Sequence, residues 1–184
     1  KTYTSMTVKE AINNGLVMAT EDRRKYGIIP CRSIKENISL PNLKSLCKAG
    51  FLNKKKEKEE VQDYFKRLRI KANSMNVDAY TLSGGNQQKV VVGRELSIPL
   101  KLLIAAQPTR GVDIASAASI QSKIMDAAEH GTGVLLISSD LDELIHTSDR
   151  IMVMSRGKIV DILEAKNATK ERLGQLMLGV SQET

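Results

Sequence analysis

Between Leu100 and Ser138 the chain reads LKLLIAAQPTRGVDIASAASIQSKIMDAAEHGTGVLLIS, and this stretch limits the possible folds more than any other. Two short, almost wholly apolar runs, LKLLIAA and VLLIS, flank a segment whose Ile120, Ile124, Met125 and Ala128 fall on one helical face. Gly131 supplies the helix stop. Apolar runs without polar alternation are how strands buried on both faces read. Strand, helix, strand is a βαβ unit, so the chain is expected to be α/β with a mainly parallel sheet. A third run, IMVM at 151–154, passes through SRGK into IVDIL, which predicts a two-stranded hairpin at the edge of that sheet.

Upstream the pattern is mainly helical. The segment KEAINNGLVM (9–18) predicts a short helix stopped at Gly15, followed by a strand from Leu16 to Ala19. The charged stretch TEDRRKYG (20–27) reads as a loop. Ser33 with Glu36 three residues later forms a capping-box start, and Pro41 closes a short helix over 34–40. In 53–70 the apolar positions Val61, Tyr64, Phe65 and Leu68 mark one helical face, and the charges around them read as its solvated side. Residues 73–80 carry no period and predict a loop leading into LSGG.

Composition narrows the function classes. The chain has 184 residues, one domain by default, and a net charge of +7. Such a balance suits nucleic acid, an anionic membrane surface or a phosphate-bearing ligand. Aromatic residues make up 3% and Trp is absent, so stacking platforms for bases are lacking and nucleic acid is not an expected partner. No apolar run approaches the roughly 20 residues of a membrane span. Cys31 and Cys47 lack metal-ligand spacing and read as structural thiols in a reducing compartment. The opening at Lys1, with no leader pattern, reads as the start of an excised piece.

The chemistry concentrates in LSGGNQQKVVVGREL (82–96). Gly84 and Gly85 let backbone amides approach an anion, Ser83 offers a hydroxyl, and a helix starting near Asn86 points its positive end there. The bland alternative makes Ser83 a helix cap and the glycines a turn. The extended string resembles the signature motif of ATP-binding cassette (ABC) proteins, in the L-S-G-G-N-Q-Q-K form of ATPase subunits that serve importers of ribose, galactose, xylose and related sugars or nucleosides. Glu21–Arg23 (EDR), SIKENISL, PTRGVD (108–113), SSDLDEL (138–144) and DRIMVMSRGKIV (149–160) follow in the order of that family.

The resemblance implies a single partial cassette over 1–184: a Q-loop-equivalent region (1–33), a helical signature subdomain (34–98), an α/β core of P-loop NTPase type (99–165) and a C-terminal tail (166–184). It implies that Ser83, Gly84, Gly85 and Gln87 meet ATP held by an opposing cassette, and that Asp113 lies at the cassette interface. Glu21 would stand at the Q-loop position, beside the surface that docks transmembrane permease subunits. Asp113 as a helix N-cap, and Glu21 with Arg23 as a solvated loop pair, are the alternatives. The implied setting is cytoplasmic and peripheral on the inner face of the membrane, with a solute-binding protein as an indirect partner.

Departures from the family pattern bear on catalysis. Ala106 stands at the Walker B aspartate and Gln107 at the glutamate that polarises water. A methyl group cannot ligate a hard cation, and a glutamine amide cannot accept a proton near neutral pH. Ser139 replaces the switch histidine. No G-x-x-x-x-G-K-[ST] occurs. The expectation is a degenerate second cassette, beginning just after its P-loop, in which AAQPTRG resembles the nucleoside-importer branch. It would supply LSGG in trans to shared ATP, with Mg²⁺ held only through the partner cassette and no turnover alone. A docking or regulatory cassette without catalytic duty is the competing expectation. A sheet short of its P-loop strand is expected to expose apolar surface and to self-associate.

Overall fold

The computed structural model describes residues 5–179 and divides into two compact units, 1–137 and 138–184. In the first, helix α1 (Val8–Asn13) starts at a capping box in which Thr7 and Glu10 satisfy each other's backbone amides. Gly15 turns the chain into β1 (Leu16–Ala19) at φ +77°, and a Cβ there would sit 2.8 Å from the Pro99 carbonyl. Only glycine fits that crossing.

Strand β1 pairs in parallel with β4 (Leu102–Ala106), and β4 pairs in parallel with β5 (Gly133–Ile137). Helix α6 (Ile114–Glu129) joins β4 to β5, so the expected βαβ unit is present. Val17, Ala19, Leu103 and Ala105 are buried on one face, with Val134 and Leu136 packed against them. Met18, Leu135 and Ile137 on the other face are exposed. The reading of these strands as covered on both faces therefore holds for one face only.

Between β1 and β4 lies the helical part. Residues Arg23–Gly27 form a π turn where a loop is predicted from sequence. Helix α2 (Ile34–Ser39) begins at the Ser33–Glu36 capping box, and Pro41 continues it as a 3₁₀ turn before α3 (Leu43–Leu46). A short hairpin, β2 (Cys47–Lys48) and β3 (Phe51–Leu52), has no counterpart in the sequence reading. Two-residue strands are too brief to show a period.

Helix α4 (Lys54–Arg67) buries Val61, and Leu68 is buried at its C-cap. Its charges are not all solvated: Glu57 is 2% exposed, accepts from Ser39 Oγ at 2.8 Å and pairs with Lys35 Nζ at 3.3 Å. Helix α5 (Gly84–Glu95) runs through the centre of this unit, with Val90, Val91 and Val92 buried. At Gly93 a Cβ would stand 2.8 Å from Leu68, so the glycine admits α4's C-terminal end.

In the second unit, α7 (Leu141–Thr147), the antiparallel pair β6 (Arg150–Ser155) and β7 (Lys158–Glu164), and α8 (Lys170–Met177) enclose Ile151, Val153, Leu173 and Leu176. The hairpin forms a two-stranded sheet of its own and not the predicted edge of the parallel sheet. A register shift at Val153/Met154 twists it. The end of the expected C-terminal tail, 180–184, lies outside the described residues.

Candidate functional site

Helix α5 begins two residues earlier than its sequence signal, at Gly84, with Ser83 in the N-cap position. The Ser83 side chain makes no capping hydrogen bond to its first turn. Ser83 is exposed and its Oγ accepts from Asn86 Nδ2 at 2.9 Å, which leaves the hydroxyl proton to donate outward. The capping alternative for Ser83 is therefore not what the geometry displays. An uncapped first turn presents backbone N–H groups and the positive end of the helix macrodipole.

Both glycines also have packing reasons. A Cβ at Gly84 would meet Arg23 Nη2 at 2.5 Å, and one at Gly85 would meet Ser116 Oγ at 2.7 Å and Asp113 Oδ2 at 2.9 Å. Arg23 reaches from the π turn and donates to the carbonyls of Arg110 (3.0 Å) and Gly111 (3.4 Å). The EDR segment, the signature helix and the RGVD loop are thus pinned by one guanidinium, which desolvation by burial pushes below its ordinary pKa. Arg23 is no loop decoration.

Asp113 is the N-cap of α6: Oδ1 accepts from Ser116 N–H at 2.9 Å and Oδ2 from the Ser116 hydroxyl at 2.7 Å. These bonds, the hydroxyl's foremost, hold its carboxyl below the usual range. The capping alternative describes Asp113 in this structure, and the same carboxylate buttresses Gly85.

Within this structure the NQQK continuation serves as scaffolding, a role the sequence reading did not give it; of its residues that reading used only Gln87, at ATP. Asn86 Oδ1 accepts from the Lys71 amide at 2.8 Å. Gln87, 6% exposed, donates to the Leu82 and Ala79 carbonyls at 3.1 and 3.4 Å, so its side chain serves the 79–82 segment. Lys89, 4% exposed, donates to Arg69 O at 3.2 Å, and burial lowers its pKa. Three polar side chains hold the 69–82 segment onto α5. Polar residues with helical spacing inside an apolar helix were the available signal.

At the far end of β4 a cleft of about 590 Å³ gathers Met18, Thr20, Glu21, Asp22, Tyr26, Ala106, Gln107 and Ile137. Sequence reasoning assigned Glu21 from one motif and the adjacent Ala106 and Gln107 from another; the fold brings all three to one cleft. Gln107 has φ +49°, a left-handed conformation that costs a non-glycine residue about 1 kcal/mol. Its N–H donates to the Ile137 carbonyl at 2.7 Å. Glu21 pairs with Arg110 at 3.3 Å, both largely exposed, and Asp22 accepts from the Lys25 amide at 3.0 Å. Ser139 is the second residue of the second unit, just ahead of Asp140, the N-cap of α7.

The donor sets differ in what they can hold. Anionic oxygens fit the α5 start, where amides, a hydroxyl and a guanidinium converge. Mg²⁺ asks for several hard oxygens in octahedral array. Ala106 offers a methyl, and the two carboxylates of the cleft are already engaged, so these residues do not fit a resident Mg²⁺.

Known proteins resemble the chain in sequence and in fold. The chain is 40% identical over 171 residues to the ribose import ATP-binding protein RbsA of Geobacillus kaustophilus, covering 93% of this chain and 35% of that protein. It is 42% identical to RbsA of Bacillus subtilis with the same coverage. The chain is homologous to sugar-import ATP-binding proteins. It spans about a third of the length of these relatives. Its fold is that of an ATP-binding cassette: the dimeric cassette MJ0796, solved in a post-hydrolysis state with ADP and Pi, superposes with TM-score 0.70 at 21% identity, covering 80% of this chain and 62% of that one. No family model matches the chain.

Proposed function

We propose that this cassette is part of an import ATPase subunit for a sugar or nucleoside and acts at a shared ATP site. It supplies the signature end of α5 to the γ-phosphate of ATP held by a partner cassette, and no base or metal ligand of its own. The observation that carries this reading is the uncapped start of α5, with Ser83 outward and Arg23 beside the glycines. Charge developing on a transferring phosphoryl group is stabilised by such preorganised donors. The absence of a carboxylate at Ala106 and Gln107 supports hydrolysis by the partner's residues. Permease subunits and a partner cassette are the implied assembly, on the inner face of a membrane. Among the described residues no helix is long and apolar enough to cross one.

The test is Ser83→Arg in the full-length protein. ATP turnover should fall roughly a hundredfold, the scale of losing preorganised transition-state donors, while Gln107→Ala leaves it within about twofold. Unchanged turnover in the Ser83 variant would assign the cassette to docking or regulation.

A further inference from the structure

The β2–β3 hairpin and the start of α4 form a surface that the ATP-site reading does not use. Residues 43–56 carry five lysines, Lys44, Lys48, Lys54, Lys55 and Lys56, and no Asp or Glu. All five are exposed, and among the described residues only Lys56 has an acidic partner, Glu60 at 3.7 Å. The first acid downstream, Glu57, is buried against Ser39 and Lys35 and neutralises nothing on this surface.

Two further features set the patch apart from an ordinary solvated face. Lys54, Lys55 and Lys56 are the first three residues of a 14-residue helix, at the positive end of its macrodipole; Asn53 caps it and the acid of its first turn, Glu57, faces inward to Lys35, so the outward side of that turn carries only lysine. Phe51 stands 81% exposed at the hairpin tip, directly across from Lys48. The turn that lifts it has positive φ at both central residues, Ala49 (+50°) and Gly50 (+83°), the tight two-residue form that keeps strand ends close. An aromatic tip ringed by lysines on flexible stems is shaped for a soft, many-charged anionic surface. It presents no arginine fork for bidentate recognition and no second aromatic for base stacking.

We propose that this hairpin and the first turn of α4 contact the headgroup region of an anionic lipid bilayer, with Phe51 entering the interface and the lysines facing acidic headgroups. The arrangement follows the chemistry of interfacial anchors, in which apolar insertion and lysine attraction add. It does not rest on the phosphate-site reading, because none of these residues touches the start of α5.

The experiment is co-sedimentation of the full chain with protein-free vesicles of phosphatidylcholine, with and without roughly one-third phosphatidylglycerol, at low and high salt. Binding is expected to the anionic vesicles only, and to be lost near 0.5 M salt, where the screening length is only a few ångströms. The triple variant Lys48→Glu, Lys54→Glu, Lys55→Glu should weaken binding at least roughly a hundredfold, at about fivefold per lysine. Phe51→Ser should weaken it roughly fivefold through lost apolar insertion. A charge-matched control, Lys9→Glu, Lys158→Glu, Lys166→Glu, should bind as the parent does. Equal binding by the triple variant and the control would overturn the proposal. So would tighter binding to a single-stranded oligonucleotide than to vesicles, or binding only to native membrane vesicles that retain their proteins. ATP turnover of the full-length protein reads separately from all these outcomes.

Discussion

Helix α5 and the parallel sheet lie in one unit, and they meet opposite fates. Ten of the helix's twelve residues are buried, polar ones included, and Asn86, Gln87 and Lys89 are each matched to a backbone group. The sheet, built from more apolar residues, leaves Met18, Leu135 and Ile137 exposed and holds Gln107 in a strained conformation at its end. Hydrophobicity alone does not decide burial; what decides it is whether a neighbouring element stands opposite. The helix is surrounded by α2, α4, α6 and the π turn, whereas within its unit the sheet is packed on one side only. Gln88 tests the comparison from inside the helix. It is 1% exposed, and among the described residues neither atom of its amide finds a hydrogen bond. It shares a helical face with Gly84 and Val91, the face turned to the π turn.

If the helix is tightly fitted and the sheet end is not, substitutions should separate the two. The largest effect is expected at Gly85→Ala, where the new methyl meets Ser116 and Asp113 within 3.0 Å. It should lower unfolding free energy by about 2 kcal/mol in urea titration, and a neutral result would show that Ser116 and Asp113 yield to the added methyl. Next is the sheet's open face. The chain is expected to self-associate through it, and Leu135→Lys should weaken that association roughly tenfold in concentration-dependent light scattering. A monomeric parent at high concentration would mean that the face is covered in solution.

Smaller and opposite in sign is Gln107→Gly. Relief of the positive φ should raise stability by roughly 0.5–1 kcal/mol, sharpening the contrast with Gly85, where side-chain addition is costly.

The smallest effect is a pH dependence at Asp113, which joins the two regions. Its carboxyl is held low in the folded state by Ser116, so its contribution is present above the unfolded value near 3.9 and is lost as pH falls through the folded one. Asp113→Asn should therefore lower stability at neutral pH, where the contribution is fully present, and flatten the acid limb of the profile below about pH 4. An unchanged acid limb would assign that slope to Glu10, Glu36 and Asp126, which hydrogen bonds also hold low.

Local signals carried most of the element assignments. The capping box at Ser33 and Glu36, the stop at Gly15 and the apolar face of 61–68 act over three or four residues, and each is realised in the structure. The β2–β3 hairpin escaped because two-residue strands display no period. The π turn escaped because its residues read as a charged loop while one of them, Arg23, is fastened to carbonyls 87 and 88 positions away.

The chain's own order of residues determined that it would be α/β and that LSGG would open a helix, because each depends on residue type and short spacing alone. Only the tertiary structure decided that Arg23 packs on Gly84, that Glu21, Ala106 and Gln107 share one cleft, that Glu57 leaves the charged face for a buried pair, and that Met18, Leu135 and Ile137 are the sheet residues left exposed. Those outcomes depend on which distant segments are brought opposite one another, and steric fit and desolvation are settled only there.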